Sequence, residues 1–343
     1  MTKEQTVTEP IDRNLALELV RVTEAAAVQA ARWMGRGDKN NSDQAAVDAM
    51  RSVLNSIAMA GVVVIGEGEK DEAPMLYVGE ELGSASQPRV DIAVDPIDGT
   101  RLLANGMPNS VAVIAVAERG SMMASNDVMY MDKIAVGAGA AGRVHIDRRV
   151  ADNLRAVGDA LGKAMDDITV VVLDRPRHEQ LIADIRAAGS RIKLITDGDV
   201  AGAIMAASDD TSVDVMLGVG GAPEAVIAAC ALKCLGGDMQ ARLWPRNDEE
   251  RETVRIKGID TTRVLGLNDL VASENCFFAA TGITDGELLR GVHYLGAGGA
   301  STESLVMRSR TGTVRRIQAT HQVDKMARMW PAAKPASGST GQD

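Results

Sequence analysis

Asp95-Pro96-Ile97-Asp98-Gly99-Thr100 is the stretch of this chain best equipped for chemistry. Two carboxylates three residues apart, stiffened by Pro96 and released by Gly99, can grip a hard cation at a strand end. A hydroxyl two residues after the second acid can orient a water on that cation, the parts needed for metal-assisted phosphate ester hydrolysis. The plain alternative for this hexapeptide is an acidic turn punctuated by Pro and Gly.

Other acids follow the same logic. Gly66-Glu67-Gly68-Glu69 directly follows the β-branched run Val62-Val63-Val64-Ile65, and Asp43 closes the polar stretch Gly35–Asp43. Ligands of open α/β sheets sit outside the carboxyl ends of strands. Carboxylates converging there repel one another unless divalent cations neutralise them, and no His or Cys lies nearby to favour zinc. This pattern implies Mg²⁺ or Mn²⁺. Glu224 stands in the first turn of a helix opened by Gly218–Pro223, where it could reach a metal or simply favour the helix dipole. The glycines before it could hold a phosphate or sugar against the backbone. Asp174-Arg175-Pro176-Arg177-His178 follows a strand, and its arginines could clamp a phosphate; a charged helix start is the alternative. Asp197-Gly198-Asp199 offers acceptors for sugar hydroxyls, or a helix cap.

Elements that could position these groups are legible around them. Apolar spacing predicts a helix over residues 14–33, a polar loop at Gly35–Asp43, and a second helix from about Gln44 to Ala60, closed by Gly61. Strands are expected at Val62–Ile65, Val90–Val94 and Ser110–Ala117. From about Asp152 strands alternate with helices: strands Ile168–Leu173, Arg191–Thr196, Val213–Gly218 and Cys276–Thr281, helices His178–Ala188, Val200–Ala207 and Pro223–Leu235. This is an α/β pattern with a largely parallel or mixed sheet. The expected division is residues 13–150 and 151–330, with residues 331–343 a disordered tail.

Composition narrows the class. The chain has 343 residues, 45% hydrophobic and only 2% aromatic, so aliphatic and small residues must fill its core. A net charge of -10 and a pI near 5.1 argue against nucleic acid or an anionic membrane as partner. Three cysteines (Cys230, Cys234, Cys276) are too few for a disulfide framework, and the helical pair reads as core rather than metal ligands. No signal peptide opens the chain and no apolar run reaches the roughly 18 residues of a membrane span, so a cytoplasmic protein is expected. Gly137–Gly142 fits G-x-G-x-x-G, but the following Arg143–Asp147 reads as a strand, which removes the dinucleotide context. The four histidines show no metal or triad spacing, although His178 falls near the arginine pair.

Taken together, these motifs resemble the lithium-sensitive, metal-dependent sugar and inositol phosphatases. Gly35–Asp43, Gly66–Leu76, Asp174–His178 with Asp197–Asp199, and Gly220–Glu224 narrow the resemblance to the class II fructose-1,6-bisphosphatases of bacteria, over residues 14–321. The resemblance implies a sugar-phosphatase fold of stacked helical layers and mixed sheets in two α/β subdomains. It implies hydrolysis of the 1-phosphate of fructose 1,6-bisphosphate to fructose 6-phosphate, as in gluconeogenesis, by a homo-oligomer (dimer or tetramer). Family metal ligands match Asp43, Glu67, Asp95, Asp98 and Glu224, and the family's catalytic hydroxyl matches Thr100. Lys39, Glu69 and Asp71 match further positions near the catalytic site. Substrate contacts match Asp98, Gly99, Thr100, Tyr130, Arg175, Pro176, Arg177, Asp197, Gly198, Asp199 and Gly221. Asp98 stands where some members carry Glu, which shortens one ligand by a methylene.

The nearest alternative is an enzyme that also cleaves sedoheptulose 1,7-bisphosphate. An inositol-type monophosphatase is more distant, because the arginine pair implies a second phosphate. A non-catalytic sugar-phosphate or nucleotide-binding module is set against the complete carboxylate set with Thr100. A dehydrogenase rests only on the glycine runs.

Overall fold

The structure is a computed structural model describing residues 15–67, 76–124 and 127–327. The expected N-terminal lead-in, Glu69, Asp71 and the tail 331–343 lie outside the described residues. The chain runs α1 (Leu15–Ala30), α2 (Lys39–Leu54), β1 (Ala60–Ile65), β2 (Glu81–Leu82), β3 (Arg89–Asp98), α3 (Thr100–Ala104), β4 (Val111–Glu118) and β5 (Tyr130–Val136). It continues through α4 (Val150–Leu161), β6 (Thr169–Leu173), α5 (Glu179–Ala188), β7 (Arg191–Ile195), α6 (Asp199–Ala207), β8 (Val215–Gly221), α7 (Ala222–Leu235) and β9 (Asp238–Leu243). It ends with α8 (Asp248–Lys257), β10 (Leu265–Gly266), α9 (Leu267–Leu270), β11 (Phe277–Gly282), β12 (His293–Leu295), β13 (Gly299–Arg308), β14 (Thr313–Gln322) and α10 (Val323–Ala327).

Two mixed sheets result. The first has the order β12-β13-β11-β4-β3-β1-β2, with β14 beside β13; the second is β10-β9-β5-β8-β6-β7. β1/β3, β6/β7 and β6/β8 are the parallel pairs, and the remaining neighbours are antiparallel. Alternation along β3 and β4 divides the core. Ile92, Val94, Ala112, Ile114 and Val116 face α1 and α2. Ala93, Val113 and Ala115 face α6 and α7, which also meet Met131, Ala135, Val171 and Met216 of the second sheet. The second sheet's other face, with Ile134, Val136, Val170 and Val172, packs on α4 and α5.

The layers therefore run helix, sheet, helix, sheet, helix. The middle helices explain the composition. All nine residues of α6 are buried, as are ten of fourteen in α7, and both are rich in Ala and other small residues. A helix apolar on every side belongs inside the protein, and small side chains let two sheets close on it. Cys230, Cys234 and Cys276 are buried free thiols of this layer, as expected.

Three local expectations are corrected. α2 begins at Lys39, not Gln44, so Lys39–Asp43 is helix rather than loop; Asp38 caps it by accepting the Asn41 N–H at 3.1 Å. It ends at Leu54, and Gly61 lies inside β1 instead of closing a helix. Arg143–Asp147 forms no strand: the Arg143 N–H turns back to the Ala140 carbonyl at 3.1 Å, and side chains meet the His145 N–H (Asn153 Oδ1) and the Ile146 N–H (Gln240 Oε1), each at 2.9 Å. The strand expected over Val213–Gly218 is β8, which starts at Val215 and runs on to Gly221, with Tyr130 of β5 opposite Gly221.

Candidate active site

The Asp95–Asp98 stretch lies inside β3. Asp95 pairs with Val113 and Asp98 with Val111, so three steps on β3 match two on β4 and the strand carries one extra residue. Residues i and i+3 of a regular strand face opposite ways; a one-residue bulge re-aims the second to the side of the first. Pro96 is tolerated because bulges need no ladder N–H. Asp95 Oδ1 accepts the Ile97 N–H at 3.0 Å, which fixes the bulge. Asp98 is 3% exposed, and its Oδ2 accepts the Ala201 N–H in the first turn of α6 at 3.0 Å. Gly99 and Gly198, with φ 89° and 87°, turn their strand ends into α3 and α6.

Around this bulge the acids converge electrostatically. The Asp95 carboxyl is held well above the usual range by burial and then by Asp98, Glu224 and Glu67. Asp98 is raised likewise by burial, then Asp199, opposed by the Ala201 N–H. Glu224 is pushed up to about 7 by burial and by Asp199, with Lys133 pulling the other way. Glu67 is raised by desolvation. Asp43 is raised to about 6 by burial and Glu67, while the Thr100 hydroxyl and Lys39 oppose the rise. The one Thr100 hydroxyl proton has two acceptors within reach, Asp43 and the Ile97 carbonyl 3.2 Å from Oγ1, and goes to one at a time.

Glu224 sits in the first turn of α7, three residues past the end of β8. The preceding glycines are required by the acids. A β-carbon on Gly221 would lie 1.6 Å from Glu224 Oε2, and one on Gly220 1.9 Å from Asp199 Oδ2. Lys133, 2% exposed, bridges Asp199 Oδ2 and the Gly221 carbonyl (3.0 Å). This lysine was missed from the sequence, although a lone Lys in the apolar run of β5 was a signal.

Among the described residues no three acids close into a ready cage for one ion. Yet Glu224 Oε2 is buried without a hydrogen-bond partner, which is costly unless a cation or water meets it. The surrounding donors are carboxylate oxygens, suited to a hard ion. The residues present fit such an ion.

Beside the acids lies a cavity of 210 Å³. Tyr130, Arg175, Arg177, Asp197, Asp199, Gly221 and Glu224 line it, as does Arg246, which sequence reasoning missed. Arg177 lies 5.0 Å from the centre of the Tyr130 ring and directs Nε and Nη2 to the Val219 carbonyl (3.1 and 2.8 Å). Arg175 stands 3.7 Å from Asp197, whose other oxygen accepts the Arg101 N–H at 3.4 Å. Pro176 opens the short turn that separates the two arginines on the cavity wall. His178 is a structural pin instead of a ligand. Its Nδ1 meets the Leu173 carbonyl at 2.6 Å and its Nε2 accepts the Val219 N–H at 2.7 Å, and burial holds its pKa down. Carboxylates and arginines thus line one cavity.

The chain is similar to known bacterial enzymes over most of its length. The family model described as "Bacterial fructose-1,6-bisphosphatase, glpX-encoded" matches residues 13–321. The chain is 47% identical over 326 residues to "Fructose-1,6-bisphosphatase 1 class 2" of Escherichia coli (strain K12), covering 91% of this chain and 96% of that protein. The same figures hold for "Fructose-1,6-bisphosphatase class 2" of Escherichia coli O6:H1 and of Shigella flexneri. The chain is a phosphatase with a layered α/β fold. The chain belongs to the bacterial fructose-1,6-bisphosphatase family.

Proposed function

We propose that the chain hydrolyses the 1-phosphate of fructose 1,6-bisphosphate, giving fructose 6-phosphate and inorganic phosphate, with Mg²⁺ or Mn²⁺. The observation that carries this reading is the orphaned, buried Glu224 oxygen on a cavity that arginines also line. Asp43, Glu67, Asp95, Asp98 and Glu224 would hold the cations. Bound there, a divalent ion supplies charge neutralisation for the scissile phosphate and activation of a water.

The chain's own residues do the rest. Thr100, held between the Ile97 carbonyl and Asp43, orients the attacking water or its proton. Lys39, one turn before Asp43, balances the acids, and Glu69 and Asp71 complete the catalytic group. Arg175 and Arg177, with Tyr130, bind the phosphate that is not cleaved, so its binding energy goes into orientation. Asp197 and Asp199 accept sugar hydroxyls, while Pro176, Gly99, Gly198 and Gly221 shape the backbone close to the substrate. Lys133 holds Asp199 against the Gly221 carbonyl.

A homo-oligomer in the cytoplasm is part of the same reading; among the described residues no helix is long and apolar enough to cross a membrane. The test is phosphate release from fructose 1,6-bisphosphate and sedoheptulose 1,7-bisphosphate with Mg²⁺, with Mn²⁺ and with chelator. Metal-dependent turnover with a higher kcat/KM for the first substrate is expected. No turnover under either metal would overturn the proposal.

A further inference from the structure

Three arginines reach the cavity, and two are already engaged. Arg177 gives Nε and Nη2 to Val219, and Arg175 gives Nη1 to the Asp174 carbonyl (3.4 Å) while facing Asp197. The third, Arg246, lies between β9 and α8. Its backbone N–H donates to Glu250 Oε2 at 3.0 Å and its Nε lies 2.8 Å from Oε1. Glu250 therefore holds the root of the side chain by a hydrogen bond and its Nε by charge alone, since Oε1 accepts no hydrogen bond among the described residues. Both terminal amino groups remain without a partner among the described residues. The side chain is 47% exposed, against 10% for Glu250.

Its guanidinium lies 6.0 Å from the centre of the Tyr130 ring on which Arg177 also stacks. Trp244 sets an edge against that ring at 6.3 Å, and its N–H donates to the Tyr130 carbonyl at 2.9 Å. The segment carrying Arg246 is thus tied to the strand carrying Tyr130. A phosphate dianion entering beside Asp197, Asp199 and Glu224 meets repulsion, and Arg246 is the cavity arginine with a whole donor fork to offset it.

We infer that Arg246 is a specificity-determining residue: with Arg177 it takes the uncleaved phosphate and so selects a bisphosphate over a monophosphate. This rests on the proposed function and names a residue of its distal phosphate end.

The experiment compares kcat/KM on fructose 1,6-bisphosphate and fructose 1-phosphate for the wild type, Arg246→Gln, Arg246→Lys and Glu250→Gln. In Arg246→Gln the preference for the bisphosphate falls about 30-fold, mainly through KM, as expected for one lost charge-assisted fork. Arg246→Lys recovers part of it, and Glu250→Gln keeps the preference within about threefold, because the amide oxygen still accepts the Arg246 backbone N–H and the lost charge faced a half-exposed arginine. Equal losses on both substrates, or an equal collapse in Glu250→Gln, would show that Arg246 only anchors α8 and would overturn the inference. Calorimetric binding of fructose 6-phosphate, which carries only the uncleaved phosphate, reads the same residue without turnover. Affinity at least tenfold weaker in Arg246→Gln supports the inference even if the wild type hydrolyses neither sugar, a result that would sink only the proposed function. Unchanged affinity, or no binding to the wild type, contradicts it.

Discussion

Gly221 and Glu224 share one volume of space: a β-carbon at position 221 would stand 1.6 Å from Glu224 Oε2. A glycine at the end of β8 is therefore a condition for the carboxylate of α7 to fold back toward the acids of β3. Gly221→Ala should fold, because a carboxylate can swing away from a methyl group. Swinging away removes a proposed cation ligand, so the Mn²⁺ concentration for half-maximal activity should rise at least about tenfold, the loss typical of disturbing a metal site. An unchanged Mn²⁺ requirement would show that Glu224 holds no ion.

Thr100 occupies the join between the β3 bulge and α3, facing Asp43. Thr100→Ala should lower kcat by about 100-fold, the smaller end of what a positioned proton-transfer group contributes, while KM moves much less. Thr100→Ser should restore most of kcat. A normal kcat in the alanine variant, measured at saturating substrate and metal, would remove the hydroxyl from the mechanism.

Lys133 is a buried cation whose partners are Asp199 and the Gly221 carbonyl. Lys133→Met leaves Asp199 buried and unpaired, and breaking such a pair costs about 3–5 kcal/mol. Thermal unfolding of the variant should show a clear drop in Tm, partly reversed by adding Asp199→Asn. A Tm equal to that of the wild type would mean that water replaces the lysine.

Glu24 offers a pH test away from the site. It is buried in α1 against β13 and β14, with Thr302 and Arg21 near its carboxyl and His321 Nε2 at 3.9 Å. Desolvation pushes its pKa up to about 7 from 4.5. The folded state thus keeps a proton that the unfolded chain releases. Stability falls as pH rises from about 4.5 to 7, by about 3 kcal/mol in total, and the penalty is complete above 7. Burial depresses His321, whose contribution has the opposite sense and is lost as pH falls through 6.5. Denaturant unfolding of Glu24→Gln against wild type isolates the glutamate: the variant should gain stability at pH 8 and little at pH 5. An equal difference at both values would contradict this assignment.

Much of the site was legible because its signals are local. Asp95 and Asp98 sit in an apolar strand with Pro and Gly, and Glu224 follows Pro223 at a helix start; both patterns survive in the structure. What failed depended on context. Lys39–Asp43 looked like loop because the first turns of α2 are polar and only Ser42 among them is buried. Val144 and Ile146 alternate as a strand would, but no neighbouring strand meets them, and side chains satisfy their backbone instead. The glycines before Glu224, read as space for a phosphate or sugar against the backbone, also leave room for Asp199 and Glu224. Lys133 and Arg246 went unnoticed because their partners lie far along the chain: Lys133 meets Asp199 and Gly221, and Arg246 meets the Tyr130 ring.

The most direct measurement is ³¹P NMR of fructose 1,6-bisphosphate incubated with the enzyme and Mn²⁺, followed by addition of EDTA. The account requires the 1-phosphate resonance to decay into inorganic phosphate while the 6-phosphate resonance persists, and the decay to stop with chelator. Appearance of fructose 1-phosphate, or hydrolysis that continues unchanged in EDTA, would contradict it.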